Sequence, residues 1–211
     1  MKITKFVHSC VLVQDGSEAI LFDPGIFSWQ SGLIDISKLP ELTAVVVTHQ
    51  HGDHMAEPFV RAIAERFSSA QWFAPSDAHS KLAEWGVGHV TNQSTDKLEI
   101  TEINHAPVEP FGVQVKNLIV HWNNKLTHPG DTHEISESKE ILLLPVQAPW
   151  GTTVRALQLP TELVVKTVIP IHDWMWNDDW RANVYDRFKE VLGQDNIDFI
   201  VPKNGEPFKI A

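Results

Sequence analysis

Short apolar runs divide the chain into segments that are typical of strands. Residues 2–7 alternate between apolar and polar side chains, and residues 10–13 and 19–22 are mostly apolar, which predicts two or three strands. The β-branched run 43–48 has polar neighbours and predicts a strand buried on both faces. Further strands are predicted at 71–74, 97–104, 113–120, around Leu126, and at 141–144, 167–171 and 198–201.

Other segments have the spacing of helices. Phe59, Ile63 and Phe67 lie four residues apart and predict one apolar helix face. Pro160 is expected to break or bend one helix, and Gly193 to end the last one. The predicted helices are 58–67, 78–85, 152–165 and 178–192. Strands precede helices in each half, so we expect an α/β or α+β fold whose sheets pack together beneath outer helices.

Length and charge narrow the class of protein. The 211 residues suit one domain, 1–211, and the net charge of −10 disfavours nucleic acid or an anionic membrane as a general partner. No apolar run approaches the roughly 20 residues of a membrane helix, and the first residues do not resemble a secretory signal. Cys10 is the single cysteine and lies in a predicted buried strand, which favours a structural role and a cytoplasmic protein.

A histidine-rich segment directly follows the predicted buried strand 43–48. In extended backbone, His49 and His51 project to the same side; a tight turn at Gly52 then lets the next two residues, Asp and His, face a neighbouring position. Imidazole and carboxylate are ligands for Zn²⁺ and related ions, and loops at strand ends often carry function. The segment therefore predicts a site for one metal ion or two, with surface histidines bonded within a loop as the plainer alternative.

The segment His49-Gln50-His51-Gly52-Asp53-His54 matches the HxHxDH signature of the metallo-β-lactamase superfamily. The chain looks closest to the small lactonase-like hydrolases of that superfamily. Asp23-Pro24-Gly25 resembles the acidic turn that precedes the signature, and His8-Ser9-Cys10 resembles a strand with which such proteins begin. The resemblance implies a four-layer αββα sandwich of two mixed sheets with helices on the outer faces.

The resemblance also implies a set of metal ligands. His105 stands in the place of the third histidine, Asp131 in that of the bridging aspartate, and His172 in that of the last histidine. Asp23 would hydrogen-bond a ligand imidazole and fix its tautomer. The implied ligands are His49, His51 and His105 for one ion, and Asp53, His54 and His172 for the other, with Asp131 shared.

Each of these residues has a plainer interpretation when taken alone. His105 could end a strand, Asp131 could be a turn residue and His172 a core histidine. His121 and His128 are alternatives to His105 as the third histidine ligand, although the position of His128 just before Asp131 favours a supporting role. The histidines expected at the surface are His79, His89 and His133.

The resemblance implies an enzyme that hydrolyses an ester, lactone or phosphoester of a small molecule. The nucleophile would be a hydroxide held by two divalent ions, with Zn²⁺ the first choice and Mn²⁺ or Fe²⁺ as alternatives. Asp53 and Asp131 are the candidate catalytic residues, because either could orient that nucleophile or accept a proton. A homo-oligomer is left open. The alternatives are a mononuclear iron dioxygenase of the same fold and a non-catalytic metal-binding module.

Several tryptophans lie close to the implied ligands. Trp150, Trp174, Trp176 and Trp180 are candidates for the pocket wall, which would favour an apolar or ring-bearing substrate. Core packing is the alternative for each. The unusual region around Pro160 could reshape the pocket mouth, and His8 is a further candidate to point into the site.

Overall fold

The computed structural model describes residues 1–110 and 112–210. Its strands are β1 (Lys2–Lys5), β2 (Val11–Asp15), β3 (Glu18–Phe22), β4 (Ala44–Val46), β5 (Gln71–Phe73), β6 (Val90–Thr91), β7 (Leu98–Asn104), β8 (Lys116–Trp122), β9 (Leu126–His128), β10 (Ile141–Pro145), β11 (Thr167–Ile171), β12 (Asp198–Phe199) and β13 (Phe208–Lys209). Its α-helices are α1 (Ile26–Gln30), α2 (Glu57–Arg66), α3 (His79–Glu84), α4 (Thr153–Gln158) and α5 (Asp178–Gln194). Short 3₁₀ helices cover Ile36–Lys38, Ser76–Ala78 and Leu159–Glu162.

The strands form two mixed sheets. The first has seven strands in the order β13-β1-β2-β3-β4-β5-β6, antiparallel from β13 to β3 and parallel from β3 to β6. The second has six strands in the order β12-β11-β10-β9-β8-β7. Its strands β9 to β12 are parallel, whereas β8 runs antiparallel to both β7 and β9.

Three apolar clusters separate the layers of the fold. One lies between the sheets, where Phe22 and Val46 face Trp122 and Leu143. A second joins the outer face of the first sheet to α2 and α3, and a third joins the second sheet to α4 and α5. Successive residues of a strand point to opposite faces, so β10 needs apolar residues throughout. The four-layer αββα sandwich is therefore confirmed.

Most predicted elements are present, with differences at their ends. The strand 167–171 agrees residue for residue, and β4 is buried on both faces as predicted. The predicted bend also occurs, because α4 gives way to a 3₁₀ turn that contains Pro160. The strand predicted at 198–201 is shorter, and α5 continues to Gln194 although Gly193 was expected to end it.

One strand was predicted too early in the chain. The apolar pattern placed it at 113–120, but β8 begins at Lys116 and continues to Trp122. Its bounds follow the pairing with β7, in which Asn104 opposes Lys116 and Leu98 opposes Trp122. Val113 is 80% exposed outside that pairing, so its apolar side chain does not mark a buried strand.

None of the helices within residues 1–110 and 112–210 combines the length and the apolar character that crossing a membrane requires.

Candidate metal centre

All the predicted ligands lie in loops at one edge of the sandwich, which we call the site rim. These loops follow β4, β7, β9 and β11. In the second sheet β9 and β11 both run parallel to β10, and β7 and β9 both run antiparallel to β8, so the three strands end at one edge. The loops after β1 and β3 also reach the site rim and contribute His8 and Asp23.

The structure brings six of the seven predicted ligands together in two groups. His49, His51 and His105 offer ring nitrogens that all lie within 4.8 Å of one another. Asp53, His54 and His172 form a second group with the same spacing, and His8 joins it.

Asp131 lies between the two groups. Its Oδ2 is 3.4 Å from His105 Nε2 and 3.8 Å from His49 Nε2. The same oxygen is 3.0 Å from His172 Nε2, and Oδ1 is 3.3 Å from His54 Nε2. One carboxylate thus faces both groups, which is the arrangement that a shared ligand requires.

Hydrogen bonds behind the site fix three of the imidazoles. His54 Nδ1 lies 2.7 Å from Asp23 Oδ2, and His105 Nδ1 lies 2.5 Å from the carbonyl oxygen of Ala106. His172 Nδ1 contacts the carbonyl oxygen of Gln147. These oxygens only accept hydrogen bonds, so each Nδ1 carries the proton. In the neutral ring, Nε2 is then left with a lone pair that points into the site.

Buried atoms without partners show that a cation fits here. Within the described residues, Nε2 of His49, His54 and His105 and Oδ1 of Asp131 are buried and make no hydrogen bond. Burying unpaired polar atoms costs free energy, and where these imidazoles are neutral their lone pairs and the carboxylate oxygen cannot satisfy one another. A divalent ion would satisfy them, and nitrogen and carboxylate donors suit zinc and related metals.

The electrostatics of the site also favour positive charge. Burial and the neighbouring His54 hold the pKa of His49 well below its ordinary value, so His49 is neutral. Burial works in the same direction at His54, but the carboxylates of Asp131, Asp23 and Asp53 prevail and raise its pKa to about 10. A metal ion bound at His54 would replace the proton that these carboxylates otherwise hold there.

Asp23 links the ends of β3 and β4 behind the site. Its carboxylate accepts hydrogen bonds from the Thr48 N–H at 2.7 Å and the Thr48 hydroxyl at 2.9 Å, in addition to His54. His128 Nδ1 accepts from the N–H of Gly130, and its Nε2 lies 3.4 Å from Asp23. His128 therefore packs behind the ligands, as the sequence favoured.

The tight backbone contact of the site is at Gly25 and not at Gly52. A Cβ at Gly25 would lie 1.6 Å from the carbonyl oxygen of Asp53, so only glycine fits. The tight turn that the sequence predicts at Gly52 is present, since the His54 N–H donates to the His51 carbonyl oxygen at 3.0 Å. The φ of Gly52 is not positive and its Cβ would meet no atom within 4 Å, so this turn does not require glycine, whereas the close approach at Gly25 involves two loops that are distant in sequence.

The remaining histidines differ in their surroundings. His89 is exposed as predicted, and His79 is half-buried with Nε2 2.9 Å from the carbonyl oxygen of Ala74. The surface prediction for His133 is wrong, because the ring is buried beside Trp150 and its Nε2 lies 2.8 Å from the Pro145 carbonyl. His121 is also buried and lies 2.8 Å from the Thr127 hydroxyl.

A pocket of about 250 Å³ opens onto the two groups of ligands. Val108, Pro149, Trp150 and Met175 form the apolar part of its lining. Trp150 also donates its indole N–H to Asp131 Oδ2 at 2.9 Å. This contact to a predicted ligand was not foreseen, because nothing local to Trp150 in the sequence indicates it.

The other three candidate tryptophans do not line this pocket. Trp174 stacks on Phe27, Trp176 packs against the cluster beneath α5, and Trp180 lies 56% exposed in a separate cleft on α5. The 3₁₀ turn around Pro160 is not part of the lining either. The pocket-wall prediction is thus met at Trp150 alone among the four.

The fold and the donor set together define a metal-binding αββα sandwich. Residues 2–172 match the family described as Beta-lactamase superfamily domain. The chain belongs to the metallo-β-lactamase superfamily.

Similar proteins span nearly the whole chain. Protein Rv0786c of Mycobacterium tuberculosis is 28% identical over 209 residues, which are 92% of this chain and 94% of that protein. A UPF0173 metal-dependent hydrolase of Methylobacterium nodulans is 24% identical over 233 residues, with coverage of 97% and 98%. The structure of Igni18, a novel metallo hydrolase from Ignicoccus hospitalis, is similar with a TM-score of 0.70 at 22% identity, with coverage of 100% and 99%. At that identity the likeness concerns the fold.

Proposed function

We propose that this chain is a hydrolase that uses two divalent metal ions on a small-molecule ester, lactone or phosphoester. The observation that carries the proposal is the set of buried nitrogen and carboxylate atoms that lack partners and face one another at the site rim. The relative named a UPF0173 metal-dependent hydrolase supports the reaction class. Zinc is the first choice, since five of the seven donors are imidazoles.

His49, His51 and His105 would hold one ion and Asp53, His54 and His172 the other, with Asp131 shared. Two such ions supply a hydroxide nucleophile near neutral pH and polarise the oxygen of the bond to be cleaved.

The two carboxylates have different surroundings, which divides their roles. The Asp131 side chain is 4% exposed and already accepts the Trp150 N–H, so it is suited to hold the ions in place. The Asp53 side chain is 21% exposed and lines the pocket. Asp53 is therefore the better placed of the two to orient the nucleophile and to accept its proton.

The pocket favours a substrate with an apolar body and without a remote negative charge. Val108, Pro149 and Met175 line the pocket beside the Trp150 ring. Lys5 and Arg181 are cationic side chains that contact the segment after His172, and both are already engaged. Lys5 is buried against the Asp173 carboxylate, and Arg181 donates to the carbonyl oxygens of Asp173 and Trp176 and to Asp178. Neutral esters and lactones are the preferred first substrates.

The test uses protein of measured metal content and a matched pair of aryl esters, one with a butyryl chain and one with a succinyl chain that ends in a carboxylate. We expect faster turnover of the neutral ester, loss on chelation and recovery with Zn²⁺ or Mn²⁺. His54→Ala should lose one metal equivalent. Its turnover should fall by more than roughly 100-fold, the largest loss usual for a change to a residue behind the ligands. His89→Ala, at an exposed histidine, is the control.

Unchanged turnover in His54→Ala would contradict the proposal. A single iron with oxygen consumption would instead support the dioxygenase, and metal-loaded protein without turnover of any ester, lactone or phosphodiester would support the non-catalytic module. Faster turnover of the succinyl ester would contradict the substrate preference alone.

A further inference from the structure

His8 is a buried histidine at the site that the predicted ligand set does not include. It lies between β1 and β2, is fully buried, and has a backbone φ of +62°. Non-glycine residues seldom adopt positive φ, and where they do so beside a functional site the surrounding structure must hold them there. Asp23 and His172 share this conformation at the same rim. The fold thus places His8 as it places two residues that act in the site.

The ring of His8 contacts the second group of ligands. Its Nε2 lies 3.1 Å from Asp53 Oδ2, and its ring centroid lies 4.0 Å from that of His172. Phe27 packs edge to face with the ring, with the centroids 5.2 Å apart. These contacts restrict the imidazole, and its Nε2 is directed at the Asp53 carboxylate.

The protonation of His8 follows from its partners. The backbone N–H of Trp174 points at His8 Nδ1, 3.4 Å away, and an N–H can only donate. Nδ1 therefore accepts, and the ring proton is on Nε2, which faces the acceptor Asp53 Oδ2 at 3.1 Å.

We propose that His8 is a positioning residue that donates its Nε2–H to Asp53 Oδ2 and thereby holds this carboxylate toward His54 and His172, whose Nε2 atoms lie 3.7 and 3.6 Å from the same oxygen. His8 is then not a ligand itself, although Nε2 lies within the 4.8 Å group of Asp53, His54 and His172. A nitrogen that carries a proton has no lone pair for a metal. This inference rests on the proposed function, because it assigns His8 a role toward the proposed second ion.

Two substitutions separate a hydrogen-bond donor from a space-filling side chain. His8→Gln places a side-chain N–H near the position of Nε2, whereas His8→Met fills a similar volume without a donor. His89→Met makes the same change at an exposed histidine. All four proteins, including the wild type, are stripped of metal and titrated with Co²⁺, and calorimetry and the visible absorption spectrum are recorded.

We expect the wild type to bind two equivalents, and His8→Met to bind one of them roughly 10–100-fold more weakly, the usual effect of losing a partner behind a metal ligand. His8→Gln should recover most of that affinity with the wild-type spectrum, and His89→Met should match the wild type. Unfolding curves of the metal-free proteins provide a check on folding.

Three outcomes would overturn the proposal. If His8→Met binds both equivalents as the wild type does, His8 has no positioning role, although the proposed function stands. If His8→Gln changes the cobalt spectrum and loses as much affinity as His8→Met, His8 is a ligand. If the wild type binds no second ion, the dinuclear function fails first and the role of His8 fails with it.

Discussion

The two edges of the sandwich use the same unusual backbone conformation for different purposes. Within the described residues, positive φ at non-glycine positions occurs three times at the site rim and three times at the opposite rim. At the opposite rim the residues are Asn123, Asn124 and Asn196, which occupy ordinary turns. At the site rim they are His8, Asp23 and His172, whose side chains face the ligands or belong to them.

Charge is also handled differently at the two rims. Exposed ion pairs mark the opposite rim, for example Lys125 with Asp15 at 2.7 Å, and water screens them. At the site rim the Asp23 and Asp131 carboxylates are buried among imidazoles. The site rim therefore buries carboxylates where they can bind cations, which costs stability. The loops of the opposite rim only connect the strands.

The largest expected effect on the free energy of unfolding comes from comparing two glycines, one packed against another loop and one with open space around it. Gly25→Ala would force the Asp53 loop to move, because the new Cβ would lie 1.6 Å from its carbonyl oxygen. We expect a loss of about 3 kcal/mol or more in the free energy of unfolding, above the usual range for overpacking, together with loss of metal binding. Urea unfolding and metal analysis measure both.

Gly52→Ala is the matched control, since its Cβ would have open space. Its free energy of unfolding should stay within about 1 kcal/mol of the wild type, the range of a tolerated glycine replacement. A Gly25→Ala protein as stable as Gly52→Ala would show that the two loops do not approach as described.

An effect of intermediate size, on metal affinity, is expected at Asp23, the carboxylate behind the ligands. Asp23→Asn replaces one acceptor oxygen with a donor, so the side chain cannot accept all three hydrogen bonds, two from Thr48 and one from His54. We expect metal affinity to fall roughly 10–100-fold, as measured by competition with a chelator. Asp96→Asn makes the same change at an exposed position of the opposite rim and should leave the affinity unchanged. Equal metal affinities in the two variants would show that Asp23 does not support metal binding.

The smallest effect is expected from the opposite rim. Lys125→Met removes the exposed partner of Asp15 and should change the free energy of unfolding by less than about 1 kcal/mol, with metal binding intact. The hydrogen bond from Lys125 lowers the pKa of Asp15, so this contribution is present near neutral pH and disappears as acid protonates the carboxylate. A difference that grows toward low pH would contradict this account.

Local sequence was sufficient where one segment decides the outcome. The run 167–171 is apolar after its first residue, Thr167, and forms β11 with the predicted bounds. The His49–His54 segment could be predicted as a metal site because its spacing and the preceding strand lie together in the sequence. The ligands after β7, β9 and β11 could be predicted only from their order along the chain, which the superfamily resemblance supplied.

Contacts between distant segments limited the rest of the prediction. The first residue of β8 depends on its pairing with β7, and the tight position at Gly25 depends on the approach of the Asp53 loop. His133 looked like a surface residue because its partners, Trp150 and the Pro145 carbonyl, follow it by more than ten residues. The role of His8 was equally hard to predict, because Asp53 and His172 come close to it only in the folded chain.

The distribution of donors over both sheets has a mechanical consequence. His49 and Asp53 lie in a loop that follows a strand of the first sheet, whereas His105, Asp131 and His172 lie in loops that follow strands of the second. Ions bound among them would cross-link segments more than a hundred residues apart, a task that the single cysteine cannot perform within one chain. Metal loading would then protect this edge from opening, and a cell short of metal would hold a protein more vulnerable to its proteases.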